Sequence, residues 1–232
     1  MKANNRCTKN ENLPLEIIQL DVNNDKSVTE AINRIAEEKD RIDIVVNNAG
    51  YDLMGALEET SIDAIKAQFE TNFFGVVRVI QAVIPIMRKQ RGGIILNITS
   101  LGGRMSFPPS SPYHATKFAL EGLSESIQYE LEPFGIKIIV IEPGGVGYTM
   151  STKMSDPLNS PYGSMQSSMS EYLKQWAQNT MHPSEVAKVI LQAVTSDNPD
   201  FRYVVEKVLT VESRRNMSDK EFQNLIKKQF NL

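Results

Sequence analysis

Residues 98–120 read ITSLGGRMSFPPSSPYHATKFAL, and three of them decide how the chain is read: Ser100, Tyr113 thirteen residues later, and Lys117 four beyond that. The run Ile94 to Ile98 in front of Ser100 is almost wholly apolar and follows the breaker Gly92-Gly93. That pattern predicts a buried strand with Ser100 just past its carboxyl end. Pro112 opens a helical stretch reaching Glu132, with Phe118, Leu120, Leu123, Ile127 and Leu131 at helix spacing, and Pro133 with Gly135 ends it. Tyr113 and Lys117 stand at i and i+4 of that helix, so the ammonium shares a face with the phenol. An isolated Tyr-x-x-x-Lys is weak evidence, and the chain carries a decoy in Tyr203 and Lys207, where the residue thirteen before the tyrosine is Ile190. A serine at a strand end and a helix start separate the two.

The alternation of strand and helix continues on either side. Leu15 to Leu20 reads as a short strand ending at Asp21, and Ser27 caps a helix carrying Val28, Ile32 and Ile35. Ile42 to Val46 is an apolar run without alternation, as expected of a strand covered on both faces, and it stops at Asn47-Asn48-Ala49-Gly50. A helix is predicted from Ser61 to about Lys89, with Pro85 bending or tightening its last turn. Ile136 to Ile141 forms the next strand, followed by Pro143-Gly144. Residues 150–170 are rich in Ser, Met and Pro without a clear period and read as the start of a lid over 150–182. Helices near Glu171 to Gln178 and Ser184 to Ser196 follow, then a strand at Arg202 to Val205 and an amphipathic helix from Ser218 with Phe222, Leu225, Ile226 and Phe230 on one side.

Nearly all-apolar strands alternating with helices predict an α/β fold: a Rossmann-like doubly wound parallel sheet flanked by helices on both faces, in one domain spanning 1–232. Ligands of such sheets bind outside the carboxyl ends of the strands. Asp21, Asn47 to Gly50, Ser100 and Pro143-Gly144 all fall at those ends.

Composition narrows the function classes. A chain of 232 residues with 41% hydrophobic residues suits one large core. Net charge is -3 and the cations are scattered, so the basic stripe of a nucleic-acid binder is missing. Cys7 is the single cysteine and lies far along the chain from His114 and His182; spacing therefore assembles neither a disulfide nor a metal site. A reduced, cytoplasmic setting is expected. His114 and His182 read as structural residues. The polar first fourteen residues, and the interruption of Val76 to Met87 by Arg78, Gln81 and Pro85, predict neither a targeting segment nor a membrane span.

The pairing of Tyr113 with Lys117 has a definite chemical meaning. Moving a phenol from near 10 to about 7 takes about 4 kcal/mol. One charge about 4 Å away, at an effective dielectric of about 20, supplies roughly that much. The expectation is that Lys117 brings Tyr113 into the range where it exchanges a proton with a substrate oxygen, while Ser100 hydrogen-bonds that oxygen.

From about Leu15 to Ile141 these motifs resemble the short-chain dehydrogenase/reductase family. His182-Pro183-Ser184-Glu185-Val186-Ala187 and Phe201-Arg202-Tyr203-Val204 resemble its branch of hydroxysteroid and retinol dehydrogenases. The resemblance implies that Ser100, Tyr113 and Lys117 are catalytic, and that Asn72, in Thr71-Asn72-Phe73-Phe74-Gly75, holds a water linking the lysine to solvent. It implies NAD or NADP as cofactor, with Asp21 and Val22 at the adenine and Asn48, Ala49 and Gly50 beside the ribose. Pro143, Gly144 and Val146 would lie near the nicotinamide carboxamide, and Tyr113 and Lys117 complete the set. The family's threonine two positions after Val146 is replaced by Tyr148, with Thr149 one later. The implied reaction interconverts a small apolar secondary alcohol and its ketone, with Met150, Met154, Met165 and Met169 either lining the substrate pocket or packing the core. The helices over about Phe69 to Lys89 and Pro112 to Glu132 would form the interface of a homodimer or homotetramer.

Family members open with a strand, a Thr-Gly-x-x-x-Gly-x-Gly turn, a helix and a second strand before the counterpart of Leu15 to Leu20. This sequence carries no such turn, and Gly102-Gly103 and Gly144-Gly145 do not replace it. The resemblance therefore predicts an N-terminally truncated chain. Either the Leu15 segment moves into the vacant central position, or strand edges stay open. Two functions follow: a dehydrogenase/reductase that keeps its catalytic half, or an inactive relative serving as a dimerising interaction protein.

Overall fold

The computed structural model describes residues 15–147, 152–154, 160–165, 167–168, 171, 180–205 and 214–230. Asn24, not the expected Ser27, caps the first helix: its backbone is extended and its side chain accepts the Ser27 amide at 2.9 Å, satisfying one of the amides a helix start leaves free. This helix, α1 (Asp25–Lys39), buries Val28, Ala31 and Ile32 and stops at Asp40, which adopts the left-handed conformation. Strand β1 (Ile44–Asn47) follows, then a turn and the short strand β2 (Asp52–Met54). Three residues offer no alternation to read, so β2 left no mark in the sequence pattern.

Ser61 caps α2 (Ile62–Phe69) by accepting the Ala64 amide. Glu70–Phe74 then widens into a π turn, and α3 (Gly75–Gln90) carries the helical run onward. The single helix expected from Ser61 is thus interrupted at Glu70–Phe74. Pro85 lies inside α3 and does not end it, although it removes one helix hydrogen bond. After β3 (Gly93–Ile98) come α4 (Ser111–Leu131), β4 (Ile136–Pro143), β5 (Thr152–Met154), α5 (Pro183–Thr195), β6 (Arg202–Val205) and α6 (Asp219–Phe230).

The main sheet runs β1-β3-β4-β6, all parallel, with Val45 opposite Ile95, Ile95 opposite Ile138 and Ile141 opposite Tyr203. A second, two-stranded parallel sheet pairs β2 with β5. Alternation along the strands splits the core in two. Ile95, Ile136 and Ile138 face α1, α3 and α4, where they meet Val28, Val83, Met87 and Leu120. Leu96, Ile139 and Ile141 face the other way, against Met181, Ala193 and α5. Each large aliphatic side chain so enclosed is worth about 1.5–3 kcal/mol, and the two covered faces make the sheet doubly wound.

The expected strand at Leu15 to Leu20 is not formed: these residues pair with no strand, and Leu15 and Ile17 are 68% and 62% exposed. Among the described residues β1 has a strand neighbour on one side only, so Ile44 and Val46 stand exposed along its outer edge. Of the two arrangements foreseen, the structure has the open edge. The run Ile62–Gln90 is long and apolar enough by composition to span a membrane. Its Val76, Val79, Ile80, Val83 and Met87 are buried in the core, which identifies it as a core helix.

Candidate active site

The β3 strand delivers Ser100 to the carboxyl edge of the sheet. Its hydroxyl accepts the Gly102 amide at 3.0 Å, opening a 3-10 turn, and lies 3.5 Å from the Pro143 carbonyl at the end of β4. The chain returns through Ser110 to start α4, whose first turns carry Tyr113 and Lys117, both buried. Lys117 donates to the Ile98 carbonyl at 2.9 Å, and its ammonium lies 5.7 Å from the centre of the Tyr113 ring. The ammonium carries two further protons with no hydrogen bond among the described residues.

Asn72 stands in the π turn. Its Oδ1 accepts the Tyr51 amide at 3.0 Å, while its Nδ2 donates to the Tyr51 carbonyl at 2.9 Å and to the Thr116 hydroxyl at 3.2 Å. The widened turn aims the amide inward, so it ties the segment after β1 to α4. Gly50 explains the need for a small residue there. A methyl at position 50 would come within 3.3 Å of Asn72 Oδ1 and 4.0 Å of Lys117 Nζ.

Of the remaining residues singled out from the sequence, Asn48 and Ala49 follow β1 and Gly144 and Val146 follow β4 at this edge, while Asp21 and Val22 lie just before α1. Asn48 and Ala49 are exposed beyond β1. Gly144 donates to Val205 at 2.7 Å, and Val146 bridges to Met181, so the segment after β4 is fastened to β6 and to the start of α5. Asp21 turns its carboxylate onto the Asn23 amide at 3.0 Å, an ordinary turn contact. Val22 packs on Gly75 so closely that a methyl there would meet it at 2.8 Å. Asn23 donates to Thr71 one residue before Asn72. Met150, Met169, Tyr148, Thr149 and Cys7 lie outside the described residues, as do the side chain of Met154 and the stretch 172–178; Met165 is half-buried.

The electrostatics correct the expectation for Tyr113. Burial pushes its phenol well above the ordinary value of 10; Ser100, as a hydrogen-bond partner, opposes this and the negative charge of Asp52 adds to it. Burial holds the Lys117 ammonium down to about 8, with Glu121 and Asp52 pulling the other way. A full charge about 4 Å away would lower the phenol, but the phenol also loses its surrounding water. Desolvation is the larger effect here.

The sequence reading also passed over Asp52, Tyr51, Gln68 and Thr116. Thr116 donates to the Tyr113 carbonyl at 2.7 Å, and Gln68 donates to the Tyr51 carbonyl at 3.1 Å. One signal was present for Asp52, a single charge within Tyr51-Asp52-Leu53-Met54. The two histidines are held by structural contacts. His114 faces the Gly102 and Phe107 carbonyls, each at 3.0 Å, and His182 accepts the Ser184 amide at the start of α5. Among the described residues no three His, Cys, Asp or Glu side chains gather as a metal site.

A sequence model of short chain dehydrogenases matches residues 2–160. The chain belongs to the short-chain dehydrogenase family. It is 37% identical over 201 residues to a 3-ketodihydrosphingosine reductase of Bacteroides thetaiotaomicron, covering 85% of this chain and 75% of that protein. It is 34% identical over 223 residues to the human 17-beta-hydroxysteroid dehydrogenase type 1, covering 91% and 66%. A short-chain dehydrogenase from Streptomyces avermitilis has the same fold, with a TM-score of 0.75 and 29% identity over 90% of this chain and 75% of that one. ElxO with NADP bound matches with a TM-score of 0.65 and 28% identity over 80% and 73%. The family, and its hydroxysteroid branch, agree with the motif reading.

Proposed function

We propose that this chain interconverts a secondary alcohol and a carbonyl by hydride exchange with NAD or NADP, with Tyr113 moving the proton. The observation that carries this reading is the meeting of Ser100, Tyr113 and Lys117 at one strand edge, with Tyr113 and Lys117 buried, Ser100 and Lys117 fixed by backbone contacts, and Tyr113 hydrogen-bonded to Ser100. The NADP bound to ElxO and the activities named for the reductase and hydroxysteroid dehydrogenase relatives support the cofactor and the reaction class.

The chain's residues fit the ribose and nicotinamide end of a dinucleotide laid across the carboxyl ends of β1, β3 and β4. Gly50 and the exposed Asn48 and Ala49 would border its ribose, the free ammonium protons of Lys117 would reach ribose hydroxyls, and Pro143, Gly144 and Val146 would flank the nicotinamide. Bound there, the cofactor supplies or accepts the hydride. Ser100 then orients the substrate oxygen and steadies its developing charge, and the Tyr113 hydroxyl gives that oxygen a proton or takes one. Lys117 sets the charge around the phenol. Asn72 holds the Tyr51 backbone and Thr116 in place behind it.

An apolar substrate fits the wall beside Ser100, where Leu101 and Met105 pack with Met54 and with Phe222 and Ile226 of α6. Phe74, Phe118 and Tyr129 are exposed on the π turn and α4, and support a homodimer or homotetramer. The test is nucleotide-dependent reduction of a panel of apolar ketones by the chain and by Tyr113→Phe. A loss of about 10²- to 10⁴-fold in turnover with retained fold is expected; an unchanged Tyr113→Phe rate would sink the reading.

A further inference from the structure

Asp52 is the only charged residue of β2, and it is 8% exposed. Its Oδ2 accepts a hydrogen bond from the Ser110 hydroxyl at 3.4 Å, and Ser110 is the residue that leads into α4. Its Oδ1 is enclosed and accepts none. Among the described residues Asp52 makes no ion pair. An ionised carboxyl so placed must be answered by a charge at longer range, because a buried carboxylate without compensation reverts to the acid.

The groups packed against it identify that charge. From α4, Lys117 and Tyr113 both feel the Asp52 charge. Lys117 also feels Glu121, but Glu121 is paired with Arg202 at 2.9 Å. From α2, Gln68 is turned to the Tyr51 carbonyl, while Asp63 and Lys66 lie in water. On β5, Thr152 stands in register with Asp52 and Lys153 with Leu53. Among the described residues Lys117 is therefore the buried cation that Asp52 and the phenol share.

We propose that Asp52 is a positioning residue for the Tyr113 and Lys117 pair: held on β2 against α4 and joined to its start through Ser110, its buried carboxylate helps Lys117 to stay an ammonium and adds to the burial that keeps Tyr113 a phenol. This rests on Tyr113 being the proton carrier. It sets the site to reduce: the carbonyl carbon receives a hydride from the reduced dinucleotide, the oxygen receives the Tyr113 proton, and the products are alcohol and tyrosinate. A phenol held protonated is the form that this direction consumes.

The test needs no turnover. Asp52→Asn keeps the shape and removes the charge, and the Lys117 and Tyr113 titrations are followed by NMR of isotope-labelled lysine and tyrosine, with peaks assigned from Lys117→Met and Tyr113→Phe. Both titrations should fall, that of Lys117 by about one unit, the order expected of a full charge in a partly screened interior. The direction at Lys117 is decisive. Loosening of the site would raise Lys117 toward 10.5, whereas loss of the negative charge lowers it further. A Lys117 titration that stays or rises overturns the proposal.

If Asp52→Asn does not fold, the unmodified chain gives the answer. Its Lys117 resonance should show a second inflection near pH 6, where burial places the Asp52 carboxyl, and Ser110→Ala should move that inflection upward. A Lys117 curve without it is equally fatal. Loss of activity in Tyr113→Phe tests the proton carrier separately, so the two ideas fail by different results.

Discussion

Lys117 carries its charge where water is nearly excluded, and that single fact links stability to activity. Its ammonium titrates at about 8 rather than at the ordinary 10.5, so the folded chain holds fewer protons than the unfolded chain between those values. Stability therefore rises with pH across that window, and the cost of the buried charge is fully present below about pH 8. Lys117→Met should be more stable than the parent at pH 7, by up to about 3 kcal/mol in urea unfolding. It should also lose nearly all turnover, a trade-off expected of a functional buried charge. Asp52 has the opposite sign of charge and a folded value of about 6 against the ordinary 3.8. The native state there binds more protons than the unfolded state, so stability falls as pH rises from about 3.8 to 6. Asp52→Asn should accordingly gain stability at pH 7 and gain little at pH 3, measured by the same denaturation series.

At the scale of elements, the π turn at Glu70–Phe74 is what joins the helical run of α2 and α3 to the site. Asn72 holds both backbone groups of Tyr51 from this turn. Asn72→Ala removes the hydrogen bond that Asn72 accepts from the buried Tyr51 amide, while Gln68 still serves the carbonyl. The expected loss is about 2 kcal/mol in unfolding free energy, accompanied by weaker nucleotide binding as Gly50 shifts; binding by calorimetry at constant protein fold checks the second part. The motif around Asn72 is legible in the sequence, whereas the π turn that aims its amide inward is not, because the widening shows only in the backbone hydrogen bonds. Strand β2 was not legible, since its three residues take their strand character from pairing with β5, 100 residues away.

At the scale of the whole molecule, an ion cluster ties the sheet's carboxyl edge to α4. Glu142 on β4 is fully buried and accepts from Arg104 at 3.1 Å and Arg202 at 2.6 Å; Arg202 also holds Glu121 on α4 at 2.9 Å. Removing Arg202 leaves two buried carboxylates with reduced compensation. Arg202→Met should cost about 3–5 kcal/mol. The deficit should be larger at pH 8 than at pH 5, because Glu142, already raised by burial, would titrate higher still without its cation. A variant with equal losses at both pH values would show that packing, not charge, is what Arg202 contributes. Leu15 to Leu20 belongs to this scale too. Its apolar pattern suits a strand, but a strand exists only where a neighbour completes its hydrogen bonds.

Local chemistry settled a good deal from the sequence alone. The apolar runs, the helix start at Ser61, and the spacing of Ser100, Tyr113 and Lys117 depend on residues close together in the chain, where alternation and helix geometry act directly. The family and the parallel doubly wound sheet followed from them. What only the tertiary structure decided was the balance of charge and water inside the site. Whether Tyr113 titrates up or down depends on how much solvent it loses and on Asp52, sixty-one residues earlier in the chain. Neither burial nor a long-range charge is written in local spacing; both arise when β2, β3 and α4 meet.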